Sequence, residues 1–91
     1  MEFAWDEAKR QSNLEKHRID FVDVEAVFEG KTVTIFDDRF DYPEDWFITF
    51  GLLNDRVVAI VHTETDVVIR IISVRRATKY EESNYFKAIT N

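Results

Sequence analysis

Two strand-like runs joined by a two-residue turn constrain the fold of this chain most strongly. Residues 46–53 and 56–63 are rich in β-branched and aromatic side chains, and both residues of the intervening Asn54-Asp55 pair tolerate positive φ angles. Because such a pair matches the twist of the two strands that it joins, the pattern predicts a tight antiparallel β-hairpin.

The register of this hairpin determines which side chains share a face. With a tight turn, Leu53 pairs with Arg56 and Phe47 lies opposite His62. One face is then almost wholly apolar and is expected to pack on helices, whereas the other is mixed. A three-residue turn before the next strand sets Arg70 opposite His62, and a two-residue turn moves Arg70 to the other face. The sequence leaves both registers open.

Helices and further strands complete the predicted fold. The pattern predicts helices over 6–17 and 20–29, strands over 32–36 and 67–74, and a final helix that opens with the capping box at 78–81. The expected fold class is therefore α+β, with two N-terminal helices, a four-stranded antiparallel meander sheet and a C-terminal helix.

Composition limits the class of protein. Ninety-one residues suit a single domain spanning 1–91, and a hydrophobic fraction of 45% is too high for a disordered chain. The absence of cysteine excludes a disulfide scaffold and thiol catalysis, and it suits a reducing cytoplasm. The sequence shows neither a signal-peptide pattern nor an apolar run of membrane-spanning length, so we expect a cytoplasmic protein without membrane contact.

Charge is distributed unevenly along the chain, which carries a net charge of −6. Residues 1–55 hold 6 basic and 14 acidic side chains, whereas residues 56–91 hold 6 basic and 4 acidic ones. The stretch 67–80 has four basic residues and no acid, and the loop 37–45 has five acids and one base. A basic segment of this kind either binds phosphate or merely solvates the end of a strand.

The available side chains favour phosphate chemistry without a metal or a cofactor. No phosphate-binding glycine loop, nucleophile elbow or zinc motif is present, and the acids of loop 37–45 lack the spacing of a calcium loop. RNA cleavage can use the 2′-hydroxyl as an internal nucleophile, so the protein needs only an acid, a base and cations.

Several residues are candidates for these roles, although each also has a structural interpretation. A histidine on a strand can titrate near neutrality or simply pack in the sheet, and a strand serine can be unremarkable. The candidate catalytic residues are Arg70, Arg75, His62, Lys79 and Ser73, and the candidate RNA-binding residues are Arg76 and Arg56.

Four segments together resemble one protein family. They are Phe3-Ala4-Trp5-Asp6-Glu7-Ala8-Lys9, Ser12-Asn13-Leu14 with Lys16-His17, Ile19-Asp20-Phe21, and Ile69-Arg70-Ile71-Ile72-Ser73-Val74-Arg75-Arg76-Ala77-Thr78-Lys79-Tyr80-Glu81. In this order and spacing they are similar to the BrnT-type toxins, and the similarity covers nearly the whole chain.

The resemblance implies a RelE-like fold and a metal-independent ribonuclease toxin of a type II toxin–antitoxin pair. It implies a BrnA-like antitoxin with a ribbon-helix-helix domain, through which the complex binds operator DNA. It assigns the cationic block to Arg70, Ser73, Arg75 and Lys79, with His62 as an addition. A homodimer and a heterotetramer with the antitoxin are both compatible with it.

Three positions depart from the family pattern. Arg18 and Pro43 stand where glycine is common in the family, and Trp46 stands where the family often has arginine. Losing one phosphate-binding cation lowers transition-state stabilisation. The alternatives to an RNA-cleaving toxin are therefore a degenerate module that only binds its antitoxin and, third, a small-ligand binder on the mixed sheet face.

Overall fold

A computed structural model of the protein describes residues 1–90 and shows an α+β fold. Its helices are α1 (Glu7–His17), α2 (Val24–Glu29) and α3 (Lys79–Thr90), and a 3₁₀ turn over Phe21–Asp23 precedes α2. Its strands are β1 (Glu2–Trp5), β2 (Val33–Asp37), β3 (Trp46–Leu53), β4 (Arg56–Glu64) and β5 (Val68–Arg76). None of the helices in residues 1–90 has the length and apolar character needed to cross a membrane.

The sheet has five strands and is mixed, which corrects the predicted four-stranded antiparallel meander. The strand order is β1-β5-β4-β3-β2, and β1 pairs parallel to β5 while the other pairs are antiparallel. Strand β1 was missed because four residues carry too short an alternation to be recognised, and their pairing partner lies more than sixty positions away.

The hairpin forms as predicted. Leu53 pairs with Arg56 and Phe47 with His62, and both turn residues have positive φ angles, 51° at Asn54 and 66° at Asp55. Local turn chemistry therefore set this register correctly.

A bulge in β5 decides which face its side chains occupy. Val61 pairs with Ser73, but the next residue of β4, His62, pairs with Ile71. Ile72 is therefore an extra residue of β5 that has no partner in β4. Such an insertion shifts the alternation by one position. Arg70 therefore lies opposite Thr63, on the face of the sheet that His62 does not occupy.

Apolar side chains are buried on both faces of the sheet. On one face, α2 and the 3₁₀ turn cover Val58, Ile60 and Val74. We call it the N-terminal face, because the elements that cover it come from the N-terminal part of the chain. On the α3 face, the C-terminal helix covers a cluster that includes Phe50 and Ala59. The hairpin face that the sequence suggested was a mixed surface is therefore core, because α2 and its neighbours pack on it.

Helix α1 lies along β5 where β1 ends. Strand β1 pairs with β5 only as far as Ile71, and beyond it the Asn13 side chain supplies the missing edge contacts. The Asn13 amide donates to the Val74 carbonyl at 3.0 Å and to the Ile19 carbonyl at 3.1 Å, and its oxygen accepts from the Val74 N–H at 3.1 Å. This buried side chain thus satisfies backbone groups that would otherwise lack partners.

Candidate functional site

Three predicted residues of β5 lie on the α3 face of the sheet. Ser73 and Arg75 pair with Val61 and Ala59, which face α3, and the bulge brings Arg70 onto the same face. If β5 had no bulge, its side chains would alternate strictly between the two faces of the sheet, and Arg70 and Arg75 would then lie on different faces.

Helix α1 adds two lysines and a histidine beside Ile72 and Ser73 of β5. A surface depression of about 180 Å³ is lined by Ser73 and Ile72 from β5 and by α1 side chains. The α1 side chains that line it are Lys9, Ser12, Asn13, Lys16 and His17. We call Lys9, Lys16, His17, Arg70, Ser73 and Arg75 together the basic strip.

Arg75 is held by a carboxylate of α3. Its two terminal nitrogens donate to the two Glu81 carboxylate oxygens at 2.8 and 2.9 Å. The Arg75 guanidinium lowers the pKa of Glu81 to about 2, and the same hydrogen bonds raise the pKa of Arg75. A carboxylate of such low pKa is a weak general base at neutral pH, and its two hydrogen bonds fix the orientation of the Arg75 guanidinium.

Glu81 also caps α3, as the capping box predicted. It accepts from the Thr78 N–H at 2.9 Å, and its own N–H donates to the Thr78 hydroxyl at 3.2 Å. The sequence therefore located this glutamate for a structural reason and gave no sign of its contact with Arg75. Lys79, the first residue of α3, is exposed and pairs with no carboxylate among residues 1–90.

His62 does not join the basic strip. It is 1% exposed, lies on the N-terminal face, and packs its ring against Phe28 and Phe47. Its Nε2 lies 2.7 Å from the Thr49 hydroxyl, and burial lowers the pKa of the imidazole. A neutral imidazole at this depth cannot reach a phosphate bound on the other side of the sheet.

The two predicted RNA-binding arginines meet in a second cluster. Arg56 and Arg76 line a depression of about 190 Å³ together with Arg18, which follows α1, and we call these three residues the arginine pocket. Asp23 and Asn54 also line it. Among residues 1–90, no carboxylate lies within ion-pair distance of the three guanidinium groups. Three guanidinium groups beside one aspartate with which none of them forms an ion pair favour an anionic ligand.

One family profile matches the chain, and it describes the ribonuclease toxin BrnT of type II toxin–antitoxin systems. The match covers residues 5–81 of the 91. The chain belongs to the BrnT family. A search of curated proteins finds no match to it.

The part matched to the BrnT family contains both basic clusters. It runs from the end of β1 to the first turn of α3, so it includes α1, the β5 bulge and Glu81. The members of this family are ribonuclease toxins of type II toxin–antitoxin systems, so membership implies an antitoxin partner.

The sequence did not predict that α1 contributes side chains to the basic strip. Lys9, Lys16 and His17 stand in segments that resemble the family, yet no local signal shows that α1 lies along β5. Arg18 was noted only as a departure from glycine. The sequence feature that could have indicated this basic surface is the consecutive run of basic residues at 16–18, next to the end of a predicted helix.

The acidic loop 37–45 is organised by a buried carboxylate. The Asp37 side chain is fully buried and accepts from Arg39 at 2.8 and 2.9 Å and from the Tyr42 hydroxyl at 3.1 Å. Arg39 holds the pKa of Asp37 at about 2. Within residues 1–90, no three His, Asp or Glu side chains are grouped so that they could hold a metal ion.

Proposed function

We propose that this BrnT-family chain cleaves RNA without a metal ion, using the basic strip as its catalytic surface. The observation that supports this most directly is the β5 bulge, which puts Arg70 on the same face as Ser73 and Arg75, while Ser73 shares a surface depression with Lys16 and His17. Cations gathered on one accessible surface suit a phosphodiester whose charge increases in the transition state.

The proposed reaction is an attack of the RNA 2′-oxygen on the adjacent phosphorus. The bond from phosphorus to the 5′-oxygen breaks, which leaves a 2′,3′-cyclic phosphate on one product and a 5′-hydroxyl on the other. A base takes the 2′-proton and an acid protonates the 5′-oxygen. His17 is the histidine on the strip, so it is the proposed proton carrier, while Arg70 and Arg75 stabilise the phosphorane-like charge.

We propose that Lys79, the exposed first residue of α3, and the arginine pocket also contact the RNA. Arg75 and Arg76 are neighbours that face opposite sides of the sheet, and Lys16, His17 and Arg18 are consecutive at the end of α1. The two basic clusters therefore meet at the C-terminal end of α1. We propose that an RNA strand passes over this end, with phosphates on Arg56 and Arg76 and the reacting phosphate on the strip.

The proposed partner is a BrnA-like ribbon-helix-helix antitoxin that neutralises the toxin and carries the complex to operator DNA. We also propose that the fold is RelE-like, and that the chain forms either a homodimer or a heterotetramer with the antitoxin. Light scattering on the co-purified pair distinguishes the two stoichiometries.

A cleavage assay in EDTA tests the enzymatic proposal. Purified chain and end-labelled RNA should give products with a 2′,3′-cyclic end, and Arg70→Ala should lower the rate about 100-fold. Lys87→Ala removes one exposed cation from α3 outside both clusters, and it should leave the rate unchanged. Full growth arrest by both Arg70→Ala and Arg75→Ala would remove these residues from the mechanism.

The second candidate is a degenerate module that binds its antitoxin and cleaves nothing. It is favoured by the two hydrogen bonds between Arg75 and Glu81, which occupy the arginine, and by Trp46 at a position where the family often has arginine. Folded chain that binds its antitoxin but leaves RNA intact, both in EDTA and with magnesium, would establish it.

A further inference from the structure

Strand β2 is an unprotected edge of the sheet. It pairs with β3 on one side, and no backbone hydrogen bond in residues 1–90 reaches its other side. Alternate N–H and C=O groups therefore face outward, and an exposed strand edge is a template for a further strand.

The side chains of β2 do not block such pairing. Natural edge strands usually carry lysine, proline or a bulge that prevents pairing. Residues 33–36 read Val-Thr-Ile-Phe and pair with β3 in an uninterrupted register. Ile35 is 48% exposed and Phe36 is 54% exposed, although both are large apolar residues. An edge of this composition is suited to being covered.

A largely apolar groove lies beside this edge, between β2 and α3. Its volume is about 350 Å³, and its walls include Val33, Ile35 and Phe50 from the sheet and Tyr80 and Tyr85 from α3. The Tyr85 hydroxyl donates to the Lys31 carbonyl at 2.7 Å, which fixes the helix wall against the start of β2. A strand added to the edge would direct every second side chain into this groove.

The far end of β2 carries concentrated negative charge. The acidic loop follows Asp37 directly, and its exposed carboxylates pair with no cation in the described part of the chain: Asp38, Asp41, Glu44 and Asp45. Because Asp37 binds Arg39 and Tyr42, the loop is held in place next to the strand end. A segment that covers the edge therefore gains from basic residues at this end.

We propose that the outer edge of β2 and the groove beside it bind an extended segment of a partner protein as a sixth strand. The segment alternates apolar and small polar residues and has lysine or arginine at the end next to the acidic loop. Its identification as part of the antitoxin rests on the proposed function, but the docking site does not. A second copy of this chain is a poorer occupant, because it also carries a net charge of −6.

Synthetic peptides and the intact chain test this proposal. Two peptides of about nine residues alternate Val and Thr and carry a lysine run at the amino or the carboxyl end, and a third carries glutamates instead. We expect one lysine peptide to bind with a Kd of about 10 to 100 μM and the glutamate peptide about tenfold more weakly. Amide signals of residues 33–37 should shift and exchange more slowly, and the lysine peptide that binds reveals the strand direction.

Matched variants locate the site. Ile35→Lys places a cation on the groove wall and should weaken binding about tenfold or more. Tyr80→Ala, at a residue that is 77% exposed, should weaken binding about threefold without affecting folding. Val67→Lys introduces the same charge as Ile35→Lys at a residue that is 63% exposed in the β4–β5 turn, and it should leave binding unchanged.

Three results would overturn the proposal. One is that neither lysine peptide binds below about 1 mM, and another is that Ile35→Lys binds as well as the original chain. The third is a concentration-dependent dimer of the free chain that Ile35→Lys abolishes, since a second copy would then occupy the edge. RNA cleavage is measured on the same samples, so a chain that binds peptide without cleaving RNA refutes the proposed function alone.

Discussion

Arg18 occupies a backbone conformation that favours glycine. It follows α1 with φ 61° and ψ 28°, and its N–H donates to the Leu14 carbonyl at 2.9 Å to end the helix. The left-handed conformation costs a side-chain-bearing residue about 1 kcal/mol. An arginine here therefore lowers stability while it adds one of the three cations of the arginine pocket.

Replacing Arg18 should separate stability from RNA binding. Arg18→Gly is expected to raise the unfolding free energy by about 1 kcal/mol and to weaken RNA binding about fivefold. Urea unfolding and filter binding measure the two effects. Arg18→Asn, which is neutral and tolerates this conformation, should lose the same RNA affinity with a smaller stability gain. Unchanged RNA affinity in both variants would remove Arg18 from the proposed interface.

His62 is a buried residue whose protonation opposes folding. Because burial lowers the pKa of the folded-state imidazole below its usual 6.5, the unfolded chain takes up a proton more readily than the folded one. Its contribution to stability is complete above about pH 6.5 and is lost as the pH falls below that value.

The pH dependence of unfolding tests this interpretation of His62. Between about pH 6.5 and pH 5, the unfolding free energy of the original chain should decrease as the pH falls. His62→Gln has no imidazole at this position to protonate and should show a flatter profile over the same range. Identical slopes in the two proteins would show that His62 takes up its proton without unfolding.

At the scale of elements, β5 is the strand on which both the fold and the site depend. It pairs with β1 and β4, receives the Asn13 side chain at Val74, and contains the bulge that orients Arg70. The sequence predicted a strand over 67–74, and in the structure this strand starts one residue later and ends two residues later, at Val68–Arg76. The bulge could not be predicted, because its position depends on the register against β4.

Removing the Asn13 amide should loosen α1 from β5. Asn13→Ala deletes three hydrogen bonds and leaves the Val74 N–H and C=O without partners. We expect the unfolding free energy to fall by about 3 kcal/mol, measured by urea denaturation. Glu15→Ala, at an exposed position of the same helix, should change it by about 0.5 kcal/mol or less. An equal effect of the two substitutions would mean that Asn13 does not anchor the helix.

At the scale of the whole molecule, a net charge of −6 conceals two regions of opposite sign. The basic strip and the arginine pocket meet at the end of α1, whereas the acidic loop follows the edge strand β2, with its one cation, Arg39, close enough to Arg75 for their charges to repel. The sign asymmetry was visible in the sequence, but its arrangement in space was not. Lys9, Lys16 and His17 belong to the acidic N-terminal part of the sequence, but in the folded chain they lie beside β5.

This layout predicts strong salt dependence of RNA binding in spite of the net negative charge. On a 2′-O-methyl RNA that cannot be cleaved, log Kd against log salt concentration should rise by about 0.7 for each phosphate contacted. Arg56→Ser should reduce that slope by about 0.7, and Lys87→Ala should leave it unchanged. A slope near zero for the original chain would contradict the proposed interface.

The sequence by itself determined the features that depend on neighbouring residues. The tight hairpin at Asn54-Asp55 and the Thr78–Glu81 capping box both formed as predicted, because each requires only a few consecutive side chains. Tertiary structure alone decided the pairing of β1, the position of α1 and the face of Arg70. The physical reason is that a single extra residue in a strand reverses its alternation, and only the partner strand determines where that residue lies.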